Sequence, residues 1–164
     1  MIISQKLQDT INQQIGNEMG ASMQYLQIAA YFEGETLPNL AKFFFLQAEE
    51  ENEHAMKLLH YILEVGAQVN IPAIPAPKVS FKSAEEAVGA ALNWEQDVTK
   101  QIYNLVDIAT ADKDYISQRF LDWFVSEQLE ELSLMDTLLN MVKKAGVHNL
   151  FVLDGRVLQL REES

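Results

Sequence analysis

The chain alternates long stretches of three-to-four-residue apolar period with short breaks marked by Gly and Pro, and no sustained two-residue alternation competes with that helical period. Its four prolines are Pro38, Pro72, Pro75 and Pro77, which leaves the long remaining stretches free to be helical. The spacing predicts a first helix over about 4–33, with Ser4 as its cap and Gly34 at its end. A second runs over about 38–66, opened by Pro38, whose fixed φ suits a first turn, and closed at Gly66. Residues 67–82 hold three prolines and read as an extended crossover. Ser83-Ala-Glu-Glu86 is a capping box opening a third helix over about 83–110. Asp112–Asp114 restarts the chain into a fourth helix over about 113–145, ended by Gly146, and the apolar tail over 147–160 predicts a short fifth. Short links make two antiparallel hairpins, and the crossover leaves the second and third helices parallel. The expected architecture is all-α: a four-helix bundle with one long crossover plus a short C-terminal fifth helix, a single domain over 1–164.

Each long helix carries an apolar stripe, and every stripe is broken near mid-length by a polar side chain. The first stripe contains Glu18, the second Gln47, Glu51 and His54, the third Glu95, the fourth Gln128 and Glu131. An unpaired buried carboxylate costs several kcal/mol or must take up a proton. In an antiparallel bundle mid-length positions lie at one height, so these groups converge. Glu18, Glu51 and His54 are followed, each 77 positions later, by Glu95, Gln128 and Glu131. The two hairpins thus read as an approximate internal repeat, which suits a pair of metal ions. Glu18, Glu51, Glu95 and Glu131 carry a formal charge that two divalent cations cancel, and no Lys or Arg stands in the stripes to pair with them. Oxygen ligands with one imidazole favour Fe²⁺ or Mn²⁺. A hydrogen-bonded polar network without metal is the alternative these residues leave open.

Composition narrows the chemistry. With 164 residues and no Cys, the chain excludes disulfide scaffolds, thiolate catalysis and Cys-ligated iron or zinc. The net charge of −12 disfavours nucleic acid and anionic membranes as partners and attracts cations. No apolar run approaches the roughly 20 residues of a membrane span, and residues 1–7 lack a signal-peptide pattern, so the expected location is the cytoplasm.

Glu18 and Tyr25 in the first helix, Glu51-Asn-Glu-His54 in the second, Glu95 in the third and Glu127-Gln-Leu-Glu-Glu131 in the fourth carry a resemblance. On these residues the chain resembles a bacterial non-haem ferritin of the ferritin-like di-iron superfamily, nearest the actinobacterial type. The resemblance implies a first iron site of Glu18, Glu51 and His54, and a second of Glu95 and Glu131 with Glu51 bridging and Gln128 nearby. It also implies a third iron site at Glu50, Glu127 and Glu130, residues that read equally as an acidic solvated face. Tyr25 would bond the site and donate an electron, and Trp123 sits where a second donor is often found, though a plain core aromatic fits it as well. His60 and His148 are assigned no chemistry. Asn52 stands where bacterioferritins place a haem-ligating Met, so no haem is expected. A complete intrasubunit ligand set argues against the small starvation-induced cages, and the lack of Cys against rubrerythrin-like peroxidases.

The implied function is an iron-storage protein with ferroxidase activity, oxidising Fe(II) with O₂ or H₂O₂ inside a 24-subunit shell. The consecutive Phe43, Phe44 and Phe45 exceed what one core stripe needs and predict burial against another subunit, and the tail would lie near the fourfold axes. Gly16 and Gly20 flank Glu18 and would allow close helix approach. A di-iron or manganese–iron oxidase acting on an organic substrate and a scaffold bundle with a polar core are the competing readings, separable from the first by particle size and by colour on adding Fe²⁺ in air.

Overall fold

Capping chemistry places the helix starts where side-chain oxygens can take the first orphan N–H groups. In the computed structural model, which describes residues 2–163, Ser4 Oγ accepts from Leu7 N at 3.1 Å and opens α1 (Gln5–Gly34). Pro38 opens α2 (Pro38–Glu64) without a side-chain cap of its own. Ser83 Oγ accepts from Glu86 N at 3.1 Å and opens α3 (Ala84–Ala111); the reciprocal arm of this capping box bonds Lys82 N, one residue before the position such a box usually serves. Asp114 Oδ1 accepts from Ser117 N at 3.0 Å and opens α4 (Tyr115–Asp154), and α5 (Val157–Glu162) closes the chain.

α1 packs along α2, α3 along α4, and α1 also meets α3, so the two hairpins form a four-helix bundle with no strand among the described residues. The break expected at Gly146 is present: it leaves the helical region, with φ 62° and ψ 178°, and a second helical segment resumes at once and continues to Asp154. Only glycine enters that conformation cheaply, so the regular helix ends before it and the next segment leaves in a new direction. The predicted fifth helix over 147–160 is therefore two pieces, the end of α4 and α5, split at Gly155–Arg156. That geometry brings Asp154 back to the start of α2, where its carboxylate accepts from Leu40 N at 2.8 Å and Asn39 N at 3.3 Å. The cap missing from α2 is supplied from more than a hundred residues away.

The crossover is strapped to α1 by buried amides. Asn12 and Gln24 each make a reciprocal pair with it, Asn12 with Gln68 O and Asn70 N, both at 2.8 Å, and Gln24 with Lys78 O and Lys78 N at 3.0 and 2.9 Å. These bonds satisfy backbone groups that an extended segment would otherwise leave unpaired. Gly16 lies under this strap: a Cβ there would sit 2.5 Å from Pro72 Cγ. Its smallness serves the crossover; Gly20, whose Cβ would meet Trp94 of α3 at 3.3 Å, serves the helix approach.

Apolar packing falls into two separate cores. One holds Ile11, Ile15, Leu58, Ile102, Leu105 and Leu121, the other Tyr25, Phe32, Phe44, Met135, Leu138 and Val142. Each such side chain contributes roughly 1.5–3 kcal/mol by burial. Between them lies the polar layer at mid-height. Of the three phenylalanines expected to face another subunit, Phe43 and Phe44 are buried within the chain and only Phe45 is exposed. The reason is the returning C-terminus: Leu153 and Val157 share a core with Phe43, and the Arg161 guanidinium stands 5.7 Å from the Phe43 ring. Among the described residues no helix is long and apolar enough to cross a membrane.

Candidate metal centre

The polar layer is assembled from all four long helices. α1 supplies Glu18, α2 supplies Glu51 and His54, α3 supplies Glu95, and α4 supplies Gln128 and Glu131; each is at most 5% exposed. The three-residue spacing in α2 and α4 puts both members of each pair on the inward face. Ligand atoms of Glu18, Glu51 and His54 lie within 4.8 Å of one another, and so do those of Glu51, Glu95 and Glu131. Glu51 belongs to both groups. A third group joins His54, Glu127 and Glu131.

Hydrogen bonds hold one oxygen of Glu18, Glu51 and Glu131 and both oxygens of Glu95. Gln14 Nε2 donates to Glu18 Oε1 at 2.9 Å, and Gln47 Nε2 donates to Glu131 Oε2 at 2.8 Å. Tyr25 donates its hydroxyl proton to Glu95 Oε1. Gln128 Nε2 is shared among Glu95 Oε2 at 3.1 Å, the Glu95 carbonyl at 3.3 Å and Thr99 Oγ1 at 3.0 Å. His54 Nδ1 lies 3.3 Å from Glu51 Oε2, and its Nε2 lies 3.7 Å from Glu127 Oε1. Glu18 Oε2 and Glu51 Oε1 are buried without any partner. Buried acceptors are rarely left so, and these two belong to carboxylates grouped to hold a cation.

The electrostatics express the same crowding. Burial, then the charges of Glu95 and Glu18, hold the Glu51 carboxyl well above its ordinary pKa. Burial and the charge of Glu95 push Glu131 up to about 8, and burial pushes Glu95 to about 6 although Tyr25 and Gln128 donate to it. Tyr25 is held protonated by burial and by Glu95 and Glu51. At His54 burial opposes the charge, but the bond to Glu127 and the charges of Glu18 and Glu131 outweigh it and raise the pKa. Glu127 is lowered in return, first by its bond to His54. A divalent cation would relieve every one of these repulsions.

All six residues predicted for the two sites come together here, with Tyr25 bonded to Glu95. Glu127 reaches the centre through His54. Glu50 and Glu130 line a small cavity beside Glu131, where Glu50 pairs with Arg161. Trp123 stands edge-on to His54 with centroids 5.4 Å apart, and Lys57 Nζ lies 3.5 Å from the centre of its ring. His60 and His148 are exposed, away from the layer. Sequence reading missed three supporting side chains, Gln14, Thr99 and Arg161, and placed Gln47 in the polar layer without its bond to Glu131. The i, i+4 spacing signalled two of the three, Gln14 before Glu18 and Thr99 after Glu95.

A family model described as a ferritin-like domain matches residues 8–145. The chain is 40% identical to Ferritin BfrB of Mycobacterium tuberculosis over 152 residues, covering 93% of this chain and 83% of that one. It belongs to the ferritin family. This ferritin is also 39% identical to the bacterial non-heme ferritin of Staphylococcus aureus over 145 residues, 88% of its own length and 87% of the relative's. Among solved structures, an open pore ferritin from the hyperthermophilic archaeon Archaeoglobus fulgidus superimposes with a TM-score of 0.92 at 31% identity, covering 94% of this ferritin and 97% of that chain.

Proposed function

We propose that this ferritin stores iron and is a ferroxidase, oxidising Fe(II) with O₂ at an intrasubunit di-iron centre and keeping the ferric product inside a 24-subunit cage. The observation carrying this reading is the pair of ligand groups that share Glu51, buried between two apolar cores with two carboxylate oxygens unpartnered. Fe(II) is the substrate. Glu18, Glu51 and His54 would take one ion, and Glu51, Glu95 and Glu131 the other, so that two electrons leave together for one O₂. Carboxylate oxygens favour this because they stabilise Fe³⁺ more than Fe²⁺.

The remaining residues hold the ligands in place. Gln128 and Tyr25 both donate to Glu95 and keep its carboxylate aimed at the second ion. An electron taken from Tyr25 would let its proton pass along the existing bond to Glu95 Oε1. Oxidation adds positive charge to a centre whose four carboxylates balance only two divalent ions, and the neutral amide of Gln128 does nothing to offset the surplus. That surplus drives the product ions out toward storage.

Enclosure is supported by apolar surface that one subunit leaves uncovered. Val147, Phe151 and Val152 after the Gly146 bend are 81, 77 and 62% exposed, and Leu26 and Phe45 lie open on the α1–α2 hairpin. The third-site residues Glu50, Glu127 and Glu130 would hold an additional iron beside the centre. Asn52, exposed on α2, offers no thioether for haem. The test is aerobic Fe²⁺ titration of the wild type beside a Glu51→Ala, His54→Ala variant, with particle mass measured for both. Wild type is expected to turn amber rapidly and elute at hundreds of kilodaltons, with the variant keeping the mass and losing the colour; equal oxidation by both would overturn the reading.

A further inference from the structure

Beside Glu131, between α2 and α4, lies a cavity of about 120 Å³ lined by Gln47, Glu50, Glu127, Glu130 and Glu131 together with Arg161. It has room for a cation with several waters. Four carboxylates meet one basic side chain there, and that side chain comes from the C-terminal helix. Val157, fully buried, pins α5 to the core, and Arg161 follows four residues later on the same face with its side chain 16% exposed. Its Nη2 donates to Glu50 Oε1 at 2.6 Å, and its Nη1 donates to Gln47 Oε1.

Gln47 is completely buried and passes the contact inward, donating Nε2 to Glu131 Oε2 at 2.8 Å. A carboxamide has one accepting end and one donating end. By taking the accepting end, Arg161 turns the donating end toward Glu131; the flipped amide would set its oxygen against a carboxylate. Two consecutive hydrogen bonds therefore connect the last helix to an oxygen of the centre. The guanidinium fork suits this because it serves two acceptors at once, which an ammonium on a flexible stem does poorly.

We propose that Arg161 is a positioning residue that orients Glu131 through Gln47 and, by seating its guanidinium against Glu50, weakens the binding of a further cation in the cavity beside the centre. The proposal rests on the reading of Glu131 as a metal ligand. A cation entering the cavity displaces the guanidinium from Glu50 and loosens α5. Occupancy of the third position is thereby coupled to the second through the C-terminus.

The experiment uses the assembled, metal-free, full-length protein and Zn²⁺ as a redox-inert probe. Calorimetric titration gives the number and affinity of ions per subunit, and hydrogen exchange follows residues 157–162. Arg161→Ala is expected to bind a third zinc roughly tenfold tighter than wild type, the scale of removing one hydrogen-bonded like charge from a partly enclosed cavity. It is also expected to bind the second zinc about threefold more weakly as Gln47 loses its orientation. Arg161→Lys, which keeps the charge and the fold, should restore exclusion of the third ion but not the affinity for the second. In wild type, exchange over 157–162 rises only once two zinc ions are bound. Unchanged affinities in both variants with two ions bound throughout would overturn the proposal alone. A wild type that does not take up two zinc ions per subunit would overturn the metal-centre reading, and the proposal with it.

Discussion

Metal-free protein is expected to lose stability as the pH rises from about 5 to about 8, because the centre holds protons that the unfolded chain has already released. Burial and the charge of Glu95 push Glu131 to about 8 from an ordinary value of 4.5, and burial pushes Glu95 to about 6. Both folded values lie above the unfolded one. Their stabilisation is therefore complete below the unfolded pKa and is lost as the pH climbs through the folded values. At ~1.36 kcal/mol per decade, the loss from Glu131 is about 3 kcal/mol by neutral pH, and that from Glu95 about 2 kcal/mol. Glu51 and His54, both raised, act in the same direction. Glu127 is lowered and so acts oppositely, but its contribution is lost only on acidification below this range. For a chain of this length, Tm moves about 2–4 °C per kcal/mol, and because the Glu95 charge is part of what raises Glu131 the two losses do not simply add, so the expected fall is on the order of 10 °C. Circular dichroism melts of chelator-treated protein across the range would measure it, beside a Glu95→Gln, Glu131→Gln variant, which should fall less steeply because only Glu51 and His54 still titrate there, and zinc-saturated wild type, which should be nearly flat. A metal-free wild type whose Tm holds steady or rises over that interval would refute the reasoning.

Gln128→Glu adds a negative ligand and should slow release of oxidised iron, so ferric iron stays at the centre longer after a single addition of Fe²⁺; unchanged turnover and release would discard the charge-surplus argument. Asp154→Ala removes the distant cap of α2 and should cost about 1–2 kcal/mol, read as a Tm lowered by several degrees. Gly16→Ala should destabilise by about 1–3 kcal/mol, since its Cβ would lie 2.5 Å from Pro72 Cγ. Gly89→Ala, with nothing within 4 Å of its Cβ, should gain up to about 1 kcal/mol from helix propensity; a loss there as large as at Gly16 would contradict the packing explanation.

The helix frame and the convergence of the polar residues were legible because they depend on local rules. Caps at Ser4, Ser83 and Asp114 and breaks at Gly34 and Gly66 act within a few residues, and the polar interruptions of four apolar stripes converge in any antiparallel arrangement. Gly146 was legible as a break with a helix after it; the second interruption at Gly155–Arg156 was not, since it depends on what the last segment packs against. Phe43 misled for the same reason: the C-terminus that covers it returns through Asp154 and Val157, a contact between chain ends. Gln8, Asn12 and Gln24 carry no local signal along α1, and only the path of the crossover makes them its anchors. Arg161 sits in a short charged tail with no periodic signal, so its reach to Gln47 was invisible until α5 was placed.

The central claim, two ions sharing Glu51, is tested most directly by anomalous diffraction from crystals of the assembled protein saturated with zinc. Two peaks per subunit about 3–4 Å apart are expected, one bound by Glu18, Glu51 and His54 and the other by Glu51, Glu95 and Glu131. A single peak, or zinc confined to exposed carboxylates while the buried layer binds none, would contradict it.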